Sequence, residues 1–157
     1  FYVFRSTKAQ RSNLENIINK SRINNIEIIS DEKIKDHILK KSIFAVSKSG
    51  TISLEISKRK IPSIIIYKMN FLNFLIVKML VKIKYANILN IAADRMIIPE
   101  LLQSKCNSKE IFKLVSSFLE DQNKIKKQIS NTEKVLESFR TKNLPTDLVA
   151  DSLRKSL

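Results

Sequence analysis

The sequence is poor in glycine, cysteine, histidine and tryptophan, and these shortages exclude several kinds of protein. Its one cysteine, Cys106, cannot form a disulfide within the chain, which is typical of a reducing compartment. One cysteine and one histidine cannot complete a zinc site. His37 lies in the charged segment DEKIKDHILKK without an evident serine or cysteine partner. We therefore expect no zinc site and no catalytic role for Cys106 or His37.

Negative charge is also scarce, because 29 lysine and arginine residues face only 15 aspartate and glutamate residues, for a net charge of +14. Such an excess favours anionic partners, such as nucleic acid, phosphorylated ligands or an acidic membrane surface. The same excess arises when AT-rich codons, which specify lysine, isoleucine and asparagine, accumulate in a gene. The charge alone leaves both explanations open.

The periodicity of the apolar residues predicts helices that alternate with strands. Leucine and isoleucine recur at helical spacing in RSNLENIINKS, and PSIIIY is a continuous β-branched run typical of a buried parallel strand. Alternation at this spacing predicts βαβ units and an α/β domain with a parallel sheet. The predicted strands lie at 1–4, 26–30, 43–47 and 62–67, and predicted helices lie at 11–21, 51–58 and 124–139. Another predicted helix carries Ile34 and Ile38 on one face, a further one runs from Asn107 onward, and a last short helix follows Pro145.

The only glycine, Gly50, lies in the stretch SKSGTISLE, between a predicted strand and a predicted helix. The first N–H groups of a helix have no partner within the helix and attract anions, and glycine lets a ligand approach the backbone. Ser49 and Thr51 add hydroxyl donors, and Glu55 lies one turn further along the same helical face, where it suits a sugar diol. The pattern predicts a nucleotide diphosphate site, although a plain N-cap by Ser49 or Thr51 also explains it.

The segment 70–85 is dense in large apolar residues and carries lysines at intervals. It is shorter than the ~20 residues that a membrane-spanning helix needs. Lys78 and Lys82 share one helical face with apolar neighbours, which is typical of a helix that lies on a lipid surface. A core helix whose lysines extend to solvent explains the pattern equally well.

The residues from 43 to 106 resemble the nucleotide-binding half of the lipid-A-disaccharide synthase family. The resemblance covers many positions in order, at the family's spacing. The positions that carry it are Ser49, Gly50, Thr51, Leu54, Glu55, Pro62, Tyr67, Lys68, Met69, Lys78, Leu80, Val81, Lys82, Tyr85, Asn90, Arg95, Glu100, Leu101, Leu102, Gln103 and Cys106.

The resemblance implies a two-domain glycosyltransferase of the GT-B type, with this chain as most of its C-terminal, Rossmann-like domain. Residues 1–120 would form a UDP-sugar-binding domain truncated at its N-terminus. Residues 121–157 would form C-terminal helices that pack on, or cross to, the partner domain. The chain starts at Phe1 inside a predicted strand, and no signal peptide is visible. We therefore expect a missing N-terminal domain that carries the acceptor site and the general base, so that this chain alone is inactive.

The implied reaction transfers 2,3-diacylglucosamine from UDP-2,3-diacylglucosamine to 2,3-diacylglucosamine 1-phosphate and releases UDP. The resemblance implies that the UDP-sugar is the substrate and that the reaction uses no metal and no other cofactor. Ser49, Gly50 and Thr51 would hold the diphosphate, and Glu55 the ribose. Asn90 would contact the donor sugar or a phosphate.

Further along the chain, Arg95 would act as a bidentate anion clamp or would order its loop. Asn90 and Arg95 are predicted to lie in a loop. Glu100 and Gln103, on a predicted helix that begins near Pro99, would bind hydroxyls of the donor sugar.

If the substrates carry acyl chains, the 70–85 segment has an expected function at the lipid surface. Phe71 and Phe74 would insert into lipid, and Lys78 and Lys82 would contact anionic headgroups. The expected location is the cytoplasmic face of the inner membrane, and a homodimer is left open.

One alternative function is a non-enzymatic basic module that binds nucleic acid or anionic membrane. We expect no nucleic-acid partner, because the sequence shows neither an aromatic platform nor a helix-turn-helix. The other alternative is a GT-B transferase for a different UDP-sugar.

Overall fold

The computed structural model describes residues 1–4, 8–21, 25–70 and 84–140. The chain divides into two compact units, Phe1–Ile43 and Phe44–Leu157. Each unit contains a parallel sheet of its own.

The first unit consists of two strand–helix pairs. Its elements are β1 (Tyr2–Phe4), α1 (Lys8–Ser21), β2 (Glu27–Ile29) and α2 (Glu32–Lys41). β1 and β2 pair in parallel, with Val3 opposite Ile28. Asp31 caps α2, because its carboxylate accepts the amides of Lys33 and Ile34 at 2.7 and 3.1 Å. A negative side chain at this end also complements the helix dipole.

The second unit contains a three-stranded parallel sheet in the order β3-β4-β5. Its strands are β3 (Ala45–Ser47), β4 (Ser63–Tyr67) and β5 (Glu100–Leu102). β4 lies in the centre, and Ile64 and Ile65 within it are fully buried. This burial on both sides is what a continuous β-branched run predicts. The Rossmann-like α/β fold with parallel strands, predicted from the sequence, is confirmed.

The helices of the second unit cover and extend this sheet. They are α3 (Thr51–Lys58), α4 (Ile88–Ala92), a 3₁₀ turn (Gln103–Lys105), α5 (Ser108–Leu119) and α6 (Gln122–Ser138). Residues from β4, α4 and the segment after α4 form one buried apolar cluster, against which parts of α3 and α6 pack. The cluster contains Ile65, Leu89, Ile97 and Ile98, with Leu54, Ala93, Val135 and Leu136 against it. The α6 helix is therefore part of the packing of the second unit.

Gln128 ties α6 to the beginning of β4 through a pair of buried hydrogen bonds. Its side-chain oxygen accepts the Ser63 amide at 2.8 Å, and its nitrogen donates to the Ser63 carbonyl at 2.8 Å. On the side of β4 that faces β5, pairing begins only at Ile65, opposite Glu100. Gln128 therefore supplies the hydrogen bonds that a neighbouring strand would have given to Ser63.

Two local predictions are wrong. Glu100 and Gln103 do not share a helix that begins near Pro99, because Glu100 starts β5 and Gln103 starts the 3₁₀ turn. Asn90 lies within the short helix α4 and not in a loop, whereas Arg95 follows that helix. In both places hydrogen bonds to distant parts of the chain determine the backbone conformation. For β5, these bonds belong to its parallel pairing with β4, in which Leu101 lies opposite Ile66.

Some predictions lie outside the described residues. These are the lipid-contacting side chains Phe71, Phe74, Lys78 and Lys82, and the last helix after Pro145. The division of the chain at residue 120 also stays a prediction. Within the described ranges, the structure contains no helix with the length and hydropathy to cross a membrane.

Candidate functional site

The turn between β3 and α3 has a backbone shape that glycine alone readily adopts. Gly50 has φ 140° and ψ −165°, a region closed to residues with a side chain. The residue is exposed, and no atom lies within 4 Å of the position that a Cβ would take. The turn is therefore open to solvent, with room for a group that approaches the backbone.

The N-terminus of α3 differs from those of α2, α4, α5 and α6 because no side chain caps it. Asp31, Asn87, Asn107 and Asp121 each accept amides at the start of their own helix. At α3 the amide of Ser53 bonds to the Gly50 carbonyl, and no side-chain acceptor serves the first turn. Amides left open at the positive end of a helix form a site for an anion.

Ser49 and Thr51, the hydroxyl residues beside the glycine, have different surroundings. The hydroxyl of Ser49 donates to the carbonyl of Ala86 at 2.6 Å, so its proton is used within the protein. An oxygen lone pair remains available as an acceptor, but the hydroxyl no longer donates freely to a phosphate. Thr51 is exposed at the first position of α3. Of the two, Thr51 is the better placed to donate to a ligand.

Glu55 lies one turn along α3 from Thr51 and is partly exposed, with 31% of its side chain accessible. Its carboxylate pairs with Arg59 at 3.2 Å. A ribose diol at this position would share the carboxylate with the arginine. The role of Glu55 in binding ribose stays a prediction.

Asn90 and Glu100 are buried, with 0% and 7% of their surface exposed. The Asn90 side-chain oxygen accepts the amides of Ile97 and Ile98 at 2.8 and 2.9 Å. Its nitrogen donates to the Ile98 carbonyl and to Glu100 Oε1, both at 2.7 Å. Glu100 also accepts the backbone amides of Ala86 and Asn87. Hydrogen bonds within the protein occupy both side chains, which favours a supporting role over contact with a donor sugar.

Arg95 and Gln103 also make contacts within the chain. Arg95 is exposed, and its guanidinium donates to Asn131 on α6 at 3.0 Å. Gln103 has φ 51°, unusual for a residue other than glycine, and its side chain accepts the Met69 amide at 2.9 Å. The Gln103 amide nitrogen donates back to the Met69 carbonyl at 3.3 Å. Gln103 thus fixes the chain where it leaves β4.

The Gly50 turn and Gln103 lie at the carboxyl edge of the sheet, the edge at which open α/β sheets bind ligands. Asn90, Arg95 and Glu100 do not follow the end of a strand. The Gly50 turn follows the end of β3, and Met69 and Gln103 follow the ends of β4 and β5. Lys48 lies over the ring of Tyr67, with its ammonium 5.0 Å from the ring centre, and so links the ends of β3 and β4. Among the described residues, no cluster of histidine, cysteine, aspartate and glutamate could hold a metal ion.

Ser47, at the end of β3, is a residue that the sequence analysis did not single out. It is 8% exposed, and its hydroxyl has no hydrogen-bond partner among the described residues. No sequence signal identifies such a group, because only the three-dimensional packing decides whether a hydroxyl finds a partner.

Replacement of Ser47 by alanine is expected to raise the free energy of unfolding by about 1 kcal/mol, since a buried unpaired hydroxyl costs about 1–3 kcal/mol. Urea denaturation followed by circular dichroism measures the change. The matched control is Ser117→Ala, because the Ser117 hydroxyl donates to the Leu114 carbonyl at 2.9 Å and its removal should bring no gain. A loss of stability in Ser47→Ala would show that the hydroxyl has a partner.

Comparisons with a family model and with individual known proteins point to the same family. The family model described as Lipid-A-disaccharide synthetase matches residues 2–151. A lipid-A-disaccharide synthase from Rickettsia canadensis is 37% identical over 130 residues, which is 82% of this chain and 33% of that protein. Similar matches come from Rickettsia bellii, at 35% identity over 82% of this chain and 34% of the relative, and from Rickettsia prowazekii, at 32% over 83% and 34%.

The chain spans about a third of the length of the curated relatives it matches. The match covers both units and includes the Gly50 turn. The chain belongs to the lipid-A-disaccharide synthetase family.

Proposed function

We propose that this chain is the UDP-sugar-binding part of a hexosyltransferase that forms the lipid A disaccharide. The donor would be UDP-2,3-diacylglucosamine and the acceptor 2,3-diacylglucosamine 1-phosphate, with UDP as the leaving group. Family membership supports the reaction. The observation that carries the assignment to this chain is the exposed Gly50 turn in front of α3, whose first amides have no side-chain cap.

In this proposal the α3 amides and the Thr51 hydroxyl bind the diphosphate, and Glu55 accepts hydroxyls of the ribose. Fixed N–H groups at a helix start stabilise the negative charge that develops on the leaving UDP, and they need no reorganisation during the reaction. A metal is not required for this role. Asn90, Glu100 and Gln103 support the loops around the diphosphate.

The remaining elements of the proposal concern the whole protein. The acceptor site and the general base would lie in a further domain, since the relatives are about three times as long as the matched region. Phe71, Phe74, Lys78 and Lys82 would contact acyl chains and headgroups. The enzyme would act at the cytoplasmic face of the inner membrane, as a monomer or a homodimer.

The reaction is tested with the longer protein that contains this chain. It is supplied with UDP-2,3-diacylglucosamine and 2,3-diacylglucosamine 1-phosphate, and mass spectrometry follows the disaccharide. Equal yields of disaccharide and UDP would support the proposal. Two results would contradict it: transfer only from another UDP-sugar, or no transfer together with tight DNA binding that weakens steeply with salt.

The substitution Gly50→Ala is expected to weaken UDP binding at least tenfold, a loss of about 1.4 kcal/mol or more. An alanine at this position costs about 1–3 kcal/mol, because its side chain clashes at the φ and ψ that Gly50 adopts. The turn is therefore expected to change its backbone angles, which moves the amides at the start of α3. Isothermal titration calorimetry with UDP measures the affinity of the folded variant. The control is Ser130→Ala on the exposed face of α6, which should bind like the wild type. An unchanged UDP affinity in Gly50→Ala would remove the turn from the site.

A further inference from the structure

Glu100 is a buried carboxylate that neutral N–H groups hold in place. One oxygen accepts the Ala86 amide at 2.8 Å, and the other accepts the Asn87 amide at 2.9 Å and the Asn90 side chain at 2.7 Å. Among the ion pairs of the described residues, none includes Glu100. A buried carboxylate loses its hydration, and hydrogen bonds from the protein must compensate for that loss. The three hydrogen bonds to Glu100 are therefore needed together.

Two hydrogen-bonded routes lead from the amides that Glu100 holds to the Gly50 turn. In the first, the Asn87 side chain donates to the Ser53 hydroxyl at 2.8 Å, and that hydroxyl donates to the Gly50 carbonyl at 2.7 Å. In the second, the Ala86 carbonyl accepts the Ser49 hydroxyl at 2.6 Å. Asn87 and Ser53 are fully buried, so water does not compete for the first route.

The chemistry of the contact requires a carboxylate. Both oxygens of Glu100 accept N–H groups from successive residues of the chain, which fixes that segment in one position. A glutamine has one acceptor oxygen, and its NH₂ group would face either the Ala86 amide or the Asn87 and Asn90 donors. Glu100 itself is an unsuitable phosphate contact, because two anions would repel each other.

We propose that Glu100 is a positioning residue of the phosphate site. It contacts no ligand, but it holds residues 86 and 87 against the Gly50 turn and so sets the geometry of the amides at the start of α3. This inference rests on the proposed function of that turn.

The single glycine makes the geometry of the turn directly observable. A chain labelled with [¹⁵N]glycine gives one glycine amide resonance, that of Gly50. In Glu100→Gln the resonance is expected to move in the absence of any ligand, and the Kd for UDP is expected to rise at least fivefold. The control is Gln128→Leu, which breaks buried hydrogen bonds at the amino end of β4 and should leave the resonance and the UDP affinity unchanged.

A second variant covers the case in which Glu100→Gln does not fold. Ser53→Ala keeps the carboxylate but cuts the route from Asn87 to Gly50, and it is expected to move the resonance and raise the Kd for UDP about threefold. Loss of stability with an unchanged resonance and unchanged UDP affinity would show a purely structural role and overturn the proposal. A wild-type chain that does not bind UDP would instead overturn the proposed function, and a moved resonance in Glu100→Gln would still establish the link to the turn.

Discussion

Replacement of Asn90 by leucine is expected to lower the free energy of unfolding by about 4 kcal/mol, since each buried polar group left without a partner costs about 1–3 kcal/mol. Leucine has the same number and branching of side-chain non-hydrogen atoms as asparagine, so the substitution leaves no cavity and the loss comes mainly from the missing hydrogen bonds. The substitution leaves the amides of Ile97 and Ile98 without their acceptor, and it removes a donor from Glu100. Because a domain of this size is stable by only about 5–15 kcal/mol, the loss is a large share of the total.

Equilibrium denaturation in urea measures this loss. The matched control is Asn131→Leu, because Asn131 is only partly buried and its hydrogen bond from Arg95 is exposed to solvent. The loss in this variant should stay below about 1 kcal/mol. The result separates two roles for Asn90. A residue that contacted the donor sugar would give a stable variant with weakened UDP-sugar binding, and that outcome would contradict the supporting role.

The substitution Gln128→Leu is expected to cost about 3 kcal/mol of unfolding free energy, because it leaves both backbone groups of Ser63 unpaired. Ser63 is 1% exposed, so water cannot replace the lost bonds. β5 offers no alternative partner, since its pairing with β4 begins at Ile65. The effect arises where α6 meets the first residue of the central strand, at the amino end of β4.

Thermal and urea denaturation of Gln128→Leu test this prediction. The matched control is Gln122→Leu at the exposed start of α6, which should change the unfolding free energy by less than about 0.5 kcal/mol. Similar stability in the two variants would contradict the prediction, because it would mean that the Gln128 hydrogen bonds do not stabilise the contact between α6 and β4.

The sequence predicts the elements whose residues agree with their surroundings. The β-branched run that ends at Tyr67 lies in the centre of the sheet, and α3 begins at Thr51 and ends at Lys58 as predicted. The Gly50 turn is also exposed and open, as a ligand-binding turn must be. In these places local propensity and tertiary packing favour the same structure.

The predictions from the sequence fail where contacts between distant residues determine the local structure. Pro99 followed by Glu100 resembles the start of a helix, because proline and an acidic residue both favour a first turn. Pairing with β4 makes the segment a strand instead. Asn90 and Glu100 were predicted to contact a ligand because of the resemblance to the family. A single sequence cannot show that they bond to each other.

The central claim is that the amides at the Gly50 turn bind the diphosphate of UDP. Because the 157-residue chain contains one glycine, [¹⁵N]glycine labelling reports on this amide alone. Titration with UDP is expected to move the Gly50 resonance in a saturable manner, whereas uridine, which lacks the diphosphate, should move it little. A resonance that stays in place up to millimolar UDP, or that moves equally with uridine, would contradict the claim.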